Sequence, residues 1–574
     1  MNHNYGNPLE RFVKTTLFCL AIQPVAQVSA NMLSAAVPQN AAAIDAQEQS
    51  RQQERERVLQ QQNTPQTDVR LTRPTTALPD YPTDESPCFT INTFKLVGDE
   101  ASRFQWALDA ASGAKGRCLG SQGILLVINK VQNAILEQGY VTTRVMAQEQ
   151  DLTKGVFTLT LQPGRIANIR FAEPVSYRAR AWNAVPARSG DILNLRAIEQ
   201  ALENFKRVPN VEADIKIVPG AQDATSDLLI TWKENRPFHL SLGLDDSGSD
   251  STGKYQGSTT LSIDAPFAQN DLFYVNLGRS LFRDGPYDSR SNTVNYSIPV
   301  GYWNFSANYN DYDYHQNIAN ANEILTYSGK SENAQFTVSR LLFRNQIHKT
   351  TLNLRGYRRY SSNAVDDIEL TQQKRRATGW ELGLNQHSYL GDATLDANLN
   401  WRRGIGAFGA LPVPEEETNT GRSRPSLMTG DISLNQPFEW MGQSWRVNTS
   451  LRGQWSNQPL IPQDRLSIGG RYTVRGFDGE QNLSGEKGLI WRNELAWKVL
   501  ASGHELYWGV DYGRVAGPGA HGLAGQQLTG SAIGLRGTLW QRFSYDLFAG
   551  VPIDKPESFH TSGVTTGFSI NLQL

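Results

Sequence analysis

Along residues 237–574, apolar and polar residues alternate with a period of two, in runs separated by Gly-, Asn- and Asp-rich breaks. Phe238, Leu240, Leu242 and Leu244 share one face of "FHLSLGL", and Trp303, Phe305, Ala307 and Tyr309 share one face of "WNFSANY". Leu395, Ala397, Leu399 and Trp401 repeat the pattern, as do Trp445, Val447, Thr449, Leu451, Gly453 and Trp455. Successive side chains of a strand point to opposite faces, so each run predicts a strand with one apolar and one polar face. A soluble sandwich alternates too, but its turns are usually short. Here the strands are long, Trp and Tyr cluster near their ends, and the last residues read as a strand. Those are marks of a barrel that crosses an outer membrane. At roughly 20 residues per strand and turn, the stretch gives about 16 strands.

Upstream the period changes. Residues 88–165 open on the alternating "CFTINTFKLVG", followed by a short helix in "SRFQWALDAAS". In "SQGILLVINKVQNAILEQG", Ile124, Val127, Ile128, Val131, Ala134 and Ile135 fall on one helical face. Strands are predicted over 142–150 and 155–164. The same β-α-α-β-β order recurs over 166–236. A strand at 165–171 leads to a helix over 176–185 and a second helix over 193–210, with Leu195, Ile198, Leu202 and Phe205 at helical spacing. Two strands, "VEADIKIVPG" and "SDLLITWKEN", close the unit. Two units of one order make an internal repeat.

Residues 31–64 contain "AAAIDAQEQSRQQERERVLQQQ", which has high helix propensity and almost no apolar stripe. Such a helix is either disordered when alone or sits in a polar, water-filled space. Residues 65–87, rich in Pro, Thr and Asp, read as an extended linker. Residues 1–30 read as a secretory signal. Arg11 and Lys14 precede the apolar "TTLFCLAI", and Val28 and Ala30 stand at the small-residue cleavage positions. The other reading of that stretch is a short buried helix. Phe18, before Cys19, is too large for a lipoprotein cleavage box.

Composition narrows the classes. The chain has 574 residues, room for several domains, and a net charge of -1 that supplies no basic field for nucleic acid. A mean hydropathy of -0.45 looks soluble, as a barrel with alternating faces does. Of three cysteines, Cys19 would leave with the signal. Cys88 and Cys118 then form one disulfide in an oxidising compartment, or stand as two buried thiols. The histidines are scattered and form no ligand cluster. "GIGAFG" (404–409) is followed by no helix, so it is a turn and not a dinucleotide site. No nucleophile elbow is present. The expectation is a protein that is not an enzyme and takes no cofactor. "YRRY" (357–360), "KRR" (374–376) and "WRR" (401–403) line a pore with arginine or sit in solvated loops.

One break between strands is unusually long. From near Trp455 to near Lys487 lie about 30 residues, more than a barrel turn needs. They carry "RYTVRGFDGE" (471–480). On "LYWGVDYGRV" (506–515), Leu506, Trp508, Val510 and Tyr512 are the apolar face, so Tyr507, Gly509, Asp511 and Gly513 face the lumen. Glycines beside Asp511 clear side-chain bulk and let another segment approach. Two readings of Arg475 stand. In one it pairs bidentately with Asp511, with Gly476 giving tight backbone and Phe477 an anchor. In the other Arg475 is a solvated loop residue and Asp511 a routine polar residue of the lumen.

Val474-Arg475-Gly476-Phe477 resembles the VRG(F/Y) loop motif of the outer-membrane transporters of two-partner secretion. Gly509-Val510-Asp511-Tyr512-Gly513 is similar to their (F/G)xDxG strand motif. That family comprises the haemolysin secretion/activation, filamentous-adhesin and contact-dependent-inhibition exporters, within the superfamily of POTRA-bearing outer-membrane barrels. The cysteine pair and the order of segments are similar as well. The resemblance implies α+β periplasmic modules plus an all-β domain: a plug helix within 31–64, POTRA 1 at 88–165, POTRA 2 at 166–236 and a 16-stranded antiparallel transmembrane β-barrel at 237–574. It implies that the loop folds into the barrel and that Arg475 contacts Asp511. The expected activity is export of one large β-helical exoprotein, bound through its N-terminal secretion domain by POTRA modules in the periplasm. Cargo would cross unfolded, drawn by folding outside. Expected partners are that cargo, outer-membrane lipid and the barrel assembly machinery, with the exporter a monomer. An insertase for other barrels is the rival within the class, and a passive porin or receptor the rival outside it. One departure is the final Leu574, where such barrels often end in an aromatic residue.

Overall fold

The computed structural model describes residues 41–63, 68–71, 78–282, 287–319, 324–499, 503–540 and 542–574. The signal reading of residues 1–30 lies outside them, as do residues 31–40 and, in the linker, 65–67 and 72–77.

Sixteen long antiparallel strands close into a barrel, from Phe238–Asp245 through to Thr565–Gln573, which pairs back onto the first. Each strand's register follows the alternation in the sequence. Leu242, Tyr309, Leu399, Trp401, Leu451, Trp455, Leu506 and Trp508 are exposed on the outside, where lipid lies. Thr260, Asn276, Asn310, Tyr312, Tyr314 and Asp511 are buried facing inward. Backbone polar groups at membrane depth must pair within the protein, and a closed ladder leaves no unpaired edge. No described helix is long and apolar enough to cross a membrane.

The modules stand at the end where the barrel begins. In the first, Thr93–Gly98, Val156–Gln162 and Arg144–Met146 form a three-stranded sheet in which the middle strand is Val156–Gln162. Helix α1 (Ala41–Asn63) lies apart from both modules; helix α2 (Ser121–Glu137) covers this first sheet with Val127, Val131 and Ile135. The N-cap of α2 is Gly120, which has no side chain to offer. Glu85 supplies the cap instead, accepting from the backbone N–H groups of Gly120 (2.7 Å), Gln122 (2.8 Å) and Gly123 (3.0 Å). The end of the linker is tied to the module by that carboxylate and by Tyr81, which is buried in the module's core.

The second module has strands Arg165–Phe171, Thr225–Glu234 and Val211–Pro219, with helix α3 (Leu195–Lys206) against them. Leu195, Ile198, Leu202 and Phe205 are buried in its core. The helix expected over 176–185 is a series of turns. Its side chains are committed to the barrel rim. Arg178 donates to the carbonyls of Asp264 and Ala265, Trp182 donates to Gln269 (2.9 Å), and Asn183 donates to the Pro299 carbonyl (3.1 Å). On a helix Arg178 and Trp182, four apart, would share a face, but Asn183 would turn away from the Pro299 carbonyl it now reaches. The strand expected over 142–150 pairs only at Arg144–Met146.

Cys88 and Cys118 are joined by a disulfide across the short ribbon Phe89–Ile91 and Arg117–Leu119. Closing a loop with a sequence separation of 30 removes denatured-state entropy worth about 3–4 kcal/mol. Cys88→Ser combined with Cys118→Ser in the full-length protein is therefore expected to speed proteolysis within residues 88–165. The heat-modifiable gel mobility of the barrel should not change.

Candidate functional site

The segment between the strands Gln443–Trp455 and Lys487–Val499 turns inward. Its stem is a two-stranded ribbon, Leu466–Ile468 with Leu483–Gly485. Its tip carries residues 471–480 into the barrel. Val474 and Phe477 are buried in a cluster with Leu466, Ile468, Leu483, Ile490, Val515, Ala520, Leu528 and Phe559. The Phe477 and Phe559 rings meet edge to face at 5.7 Å. This small apolar core, placed in an otherwise polar lumen, anchors the tip.

Arg475 is 5 % exposed and Asp511 is fully buried. The guanidinium meets the carboxylate as a fork: Nε donates to Oδ2 and Nη2 donates to Oδ1, both at 2.7 Å. The Arg475 backbone N–H adds a third bond to Oδ2 at 3.0 Å. The remaining arm reaches Glu494 Oε2 at 2.9 Å, and Nη2 also donates to the Asn493 carbonyl at 3.1 Å. The structure thus brings Arg475 and Asp511 together. A buried ion pair is held in place only when its remaining donors and acceptors are also met, and these are.

Glycines make room for this approach. A methyl group at Gly509 would fall on the Arg475 fork, and one at Gly513 would fall on Val474. Sequence reading singled out those two. It missed Gly530 and Gly550 on the next two strands, where a side chain would strike the Arg475 carbonyl and the Gly476 backbone. Gly476 itself has φ +98°, a conformation L side chains rarely adopt, and its Cα side faces the Val551 carbonyl.

The pair belongs to a longer row of charges that sequence reading also missed. Glu494 pairs with Arg536, Arg536 Nε donates to Glu505 at 2.9 Å, and Glu505 pairs with Arg446. Arg492 lies 3.6 Å from Asp511 on the other side. Signs alternate along the row. Exchanging the two central charges would therefore not restore it: Arg475→Asp would face Glu494, and Asp511→Arg would face Arg492.

Helix α1 lies inside the barrel. It is polar on every side and so is its surrounding. Gln47 donates to the carbonyls of Gly479 (2.8 Å) and Glu480 (2.7 Å), and Arg51 donates to the Gly479 carbonyl (2.6 Å). Arg55 pairs with Gln256 and Asp245, Arg57 with Asp431, and Glu54 with Arg452. Tyr312 donates to Glu48 and Tyr314 to Asp45. The basic clusters divide accordingly. Arg359 faces inward to Asp464 at 2.8 Å and Arg402 to Glu381 at 3.1 Å, whereas "GIGAFG" begins at the end of the strand Ala393–Ile405 and runs on into a turn. Among the described residues no His, Cys, Asp and Glu group could hold a metal ion.

Gly509→Ala is expected to push the Arg475 fork off Asp511 and release the tip. Trypsin should then cleave after Arg471 or Arg475 about tenfold faster than in wild type. Gly522→Ala, with nothing within 4 Å, should leave the rate unchanged.

Comparison with known proteins agrees with this architecture. Residues 224–537 match the family model described as haemolysin secretion/activation protein ShlB/FhaC/HecB. Residues 89–164 match the ShlB-type POTRA domain and residues 165–219 a POTRA domain. The chain is 36% identical to "Outer membrane transporter CdiB-2" of Burkholderia pseudomallei, covering 98% of each chain. It is 30% identical to "Outer membrane transporter CdiB" of Dickeya dadantii, over 85% of this chain and 87% of that one. Among solved structures, CdiB from Acinetobacter baumannii superposes with a TM-score of 0.81 at 32% identity, covering 93% of this chain and 99% of that one. The chain belongs to the haemolysin secretion/activation family of two-partner secretion, and is a POTRA-bearing transporter of the outer membrane.

Proposed function

We propose that the chain exports one large exoprotein, a haemolysin, adhesin or contact-dependent-inhibition toxin, with α1 as a removable plug. The observation that carries this reading is the seat of α1. A helix packed by apolar side chains would be a permanent part of a core. Here α1 meets the wall and the inward loop through hydrogen bonds and ion pairs, whose partners water can satisfy once the helix leaves. Such a seat excludes ions while it is filled and costs little apolar burial to leave.

The relatives named HpmB and ShlB are haemolysin transporters of Proteus mirabilis and Serratia marcescens, which supports an exported protein as cargo. The two POTRA modules are the proposed receptor for its N-terminal secretion domain. Strand Thr93–Gly98 and strand Val211–Pro219 each lie at a sheet edge, where an extended peptide adds by main-chain bonds. Arg475 and Asp511 are the proposed fixing point of the inward loop, on which α1 rests through Gln47 and Arg51. The disulfide of Cys88 and Cys118 would stiffen the receptor module. The chain would act as a monomer, placed in the membrane by the barrel assembly machinery.

Deletion of residues 41–63 is expected to raise single-channel conductance in planar bilayers several-fold. Secretion of the large exoprotein encoded nearest the transporter gene should persist when both are expressed together. Unchanged conductance would mean that α1 does not obstruct the pore. Secretion that does not depend on the transporter would remove the export reading.

A further inference from the structure

Residues 68–71 lie in a groove between helix α3 and the barrel rim. Their side chains alternate between the two walls. Val69 and Leu71 pack on the core of the second module. Asp68 approaches His387 at 4.0 Å, and the Arg70 guanidinium lies 3.9 Å above the centre of the Tyr389 ring, both on the barrel. The backbone is held at every second residue. The Val69 N–H donates to Glu203 (3.2 Å), the Leu71 N–H donates to Glu199 (2.8 Å), and Arg344 donates to the Val69 carbonyl. This is how a strand is bound, with side chains from two carboxylates and one guanidinium in place of a neighbouring strand.

The groove is a built site. Glu199 and Glu203 are buried, although they lie on a helix whose apolar face is turned the other way. Arg344 bridges both, at 3.0 Å and 2.9 Å, and Lys349 adds a bond to Glu203 at 2.6 Å. Contacts to main chain carry affinity without reading sequence, and the two apolar seats at alternate positions accept any pair of aliphatic side chains.

We propose that this groove docks an extended segment of the exported polypeptide at the pore entrance, and that residues 68–71 occupy it as a stand-in. The proposal rests on the export reading above. The ligand class is an unfolded segment with apolar residues two apart and polar residues between them. Release of the plug would vacate the site. Five Cα steps from Asn63 to Asp68 reach at most ~18 Å, whereas a 23-residue helix is about 35 Å long. A helix withdrawn straight out of the barrel cannot clear it while residues 68–71 stay seated.

The test uses the full-length protein in detergent with Val69→Ser and Leu71→Ser, which empty the apolar seats. The probe is a fluorescein-labelled octapeptide with the sequence of residues 66–73, and its control places the Val and Leu side by side. Anisotropy should show the probe binding at least about tenfold more tightly to the variant than to wild type, and the control should not bind. Tyr389→Ala, on the barrel wall, should weaken binding without touching α3. Equal affinity for variant and wild type, or for probe and control, would overturn the groove. In secreting cells, a photoreactive p-benzoylphenylalanine replacing Tyr389 should cross-link to the co-expressed exoprotein. Normal secretion with no cross-link would overturn the groove and leave export standing. Absence of secretion by wild type would count against export, and the peptide measurement would still decide the groove.

Discussion

A guanidinium and a carboxylate removed from water stay charged only if nearly every donor and acceptor finds a partner, and that constraint governs the interior of this barrel. Arg475 meets it with a two-armed contact to Asp511, a further arm to Glu494 and its own backbone N–H. The requirement reaches outward. The wall must carry glycine at 509, 513, 530 and 550 so that the loop can lie against it, and Gly476 must adopt a left-handed turn. Losing one partner would leave the other buried and uncompensated, at a cost on the order of 3–5 kcal/mol. The many strand pairs of the barrel can absorb that loss, but a loop tip held besides by one small apolar cluster and a few polar contacts, such as Arg471 to Asp246, cannot.

The rest of the lumen works by a different balance. Helix α1 is held by numerous polar contacts; those at Glu54 and Arg57 are partly exposed, those at Asp45, Glu48 and Arg55 are buried, and groups on both sides find water when the helix leaves. A lumen lined this way can hold a plug firmly in sum and still let it go. The same reasoning applies at the rim, where the second module docks through Arg178, Trp182, Asn183 and the acidic side of α3, and not through an apolar interface. On this account the transporter is rigid where strands pair and adjustable where polar groups meet.

Much of this was legible in the residues. Strict alternation gave the barrel, because a strand's faces are fixed by its period. The near absence of an apolar stripe in residues 41–62 left disorder or a polar, water-filled space, and α1 lies in the second. Arg475, Gly509 and Asp511 stood out because glycines beside a lumen-facing charge leave room for another segment, although spacing alone left their pairing open. What stayed hidden depends on tertiary partners. Glu494, Glu505 and Arg536 are ordinary lumen charges when read one strand at a time; only the register sets them in a row. The alternation of Arg492 and Glu494 on one face was the available signal. Residues 176–185 have helical propensity, yet the rim binds their side chains and unwinds them. On α3 the helical spacing of Leu195, Ile198, Leu202 and Phe205 marked the core face only, whereas Arg196, Glu199, Glu203 and Asn204 are buried as well.

The central claim is that the Arg475–Asp511 contact holds the loop, and that the loop in turn holds the plug through Gly479 and Glu480. The most direct measurement is the distance between a nitroxide at position 53 on α1 and another at position 419 in the external loop, both exposed positions, read by pulsed electron paramagnetic resonance. Asp511→Asn keeps the shape of the side chain and removes its charge. The account expects wild type to give one dominant distance and Asp511→Asn to add a second, longer population as α1 leaves its seat. A distribution in Asp511→Asn identical to that of wild type would contradict it.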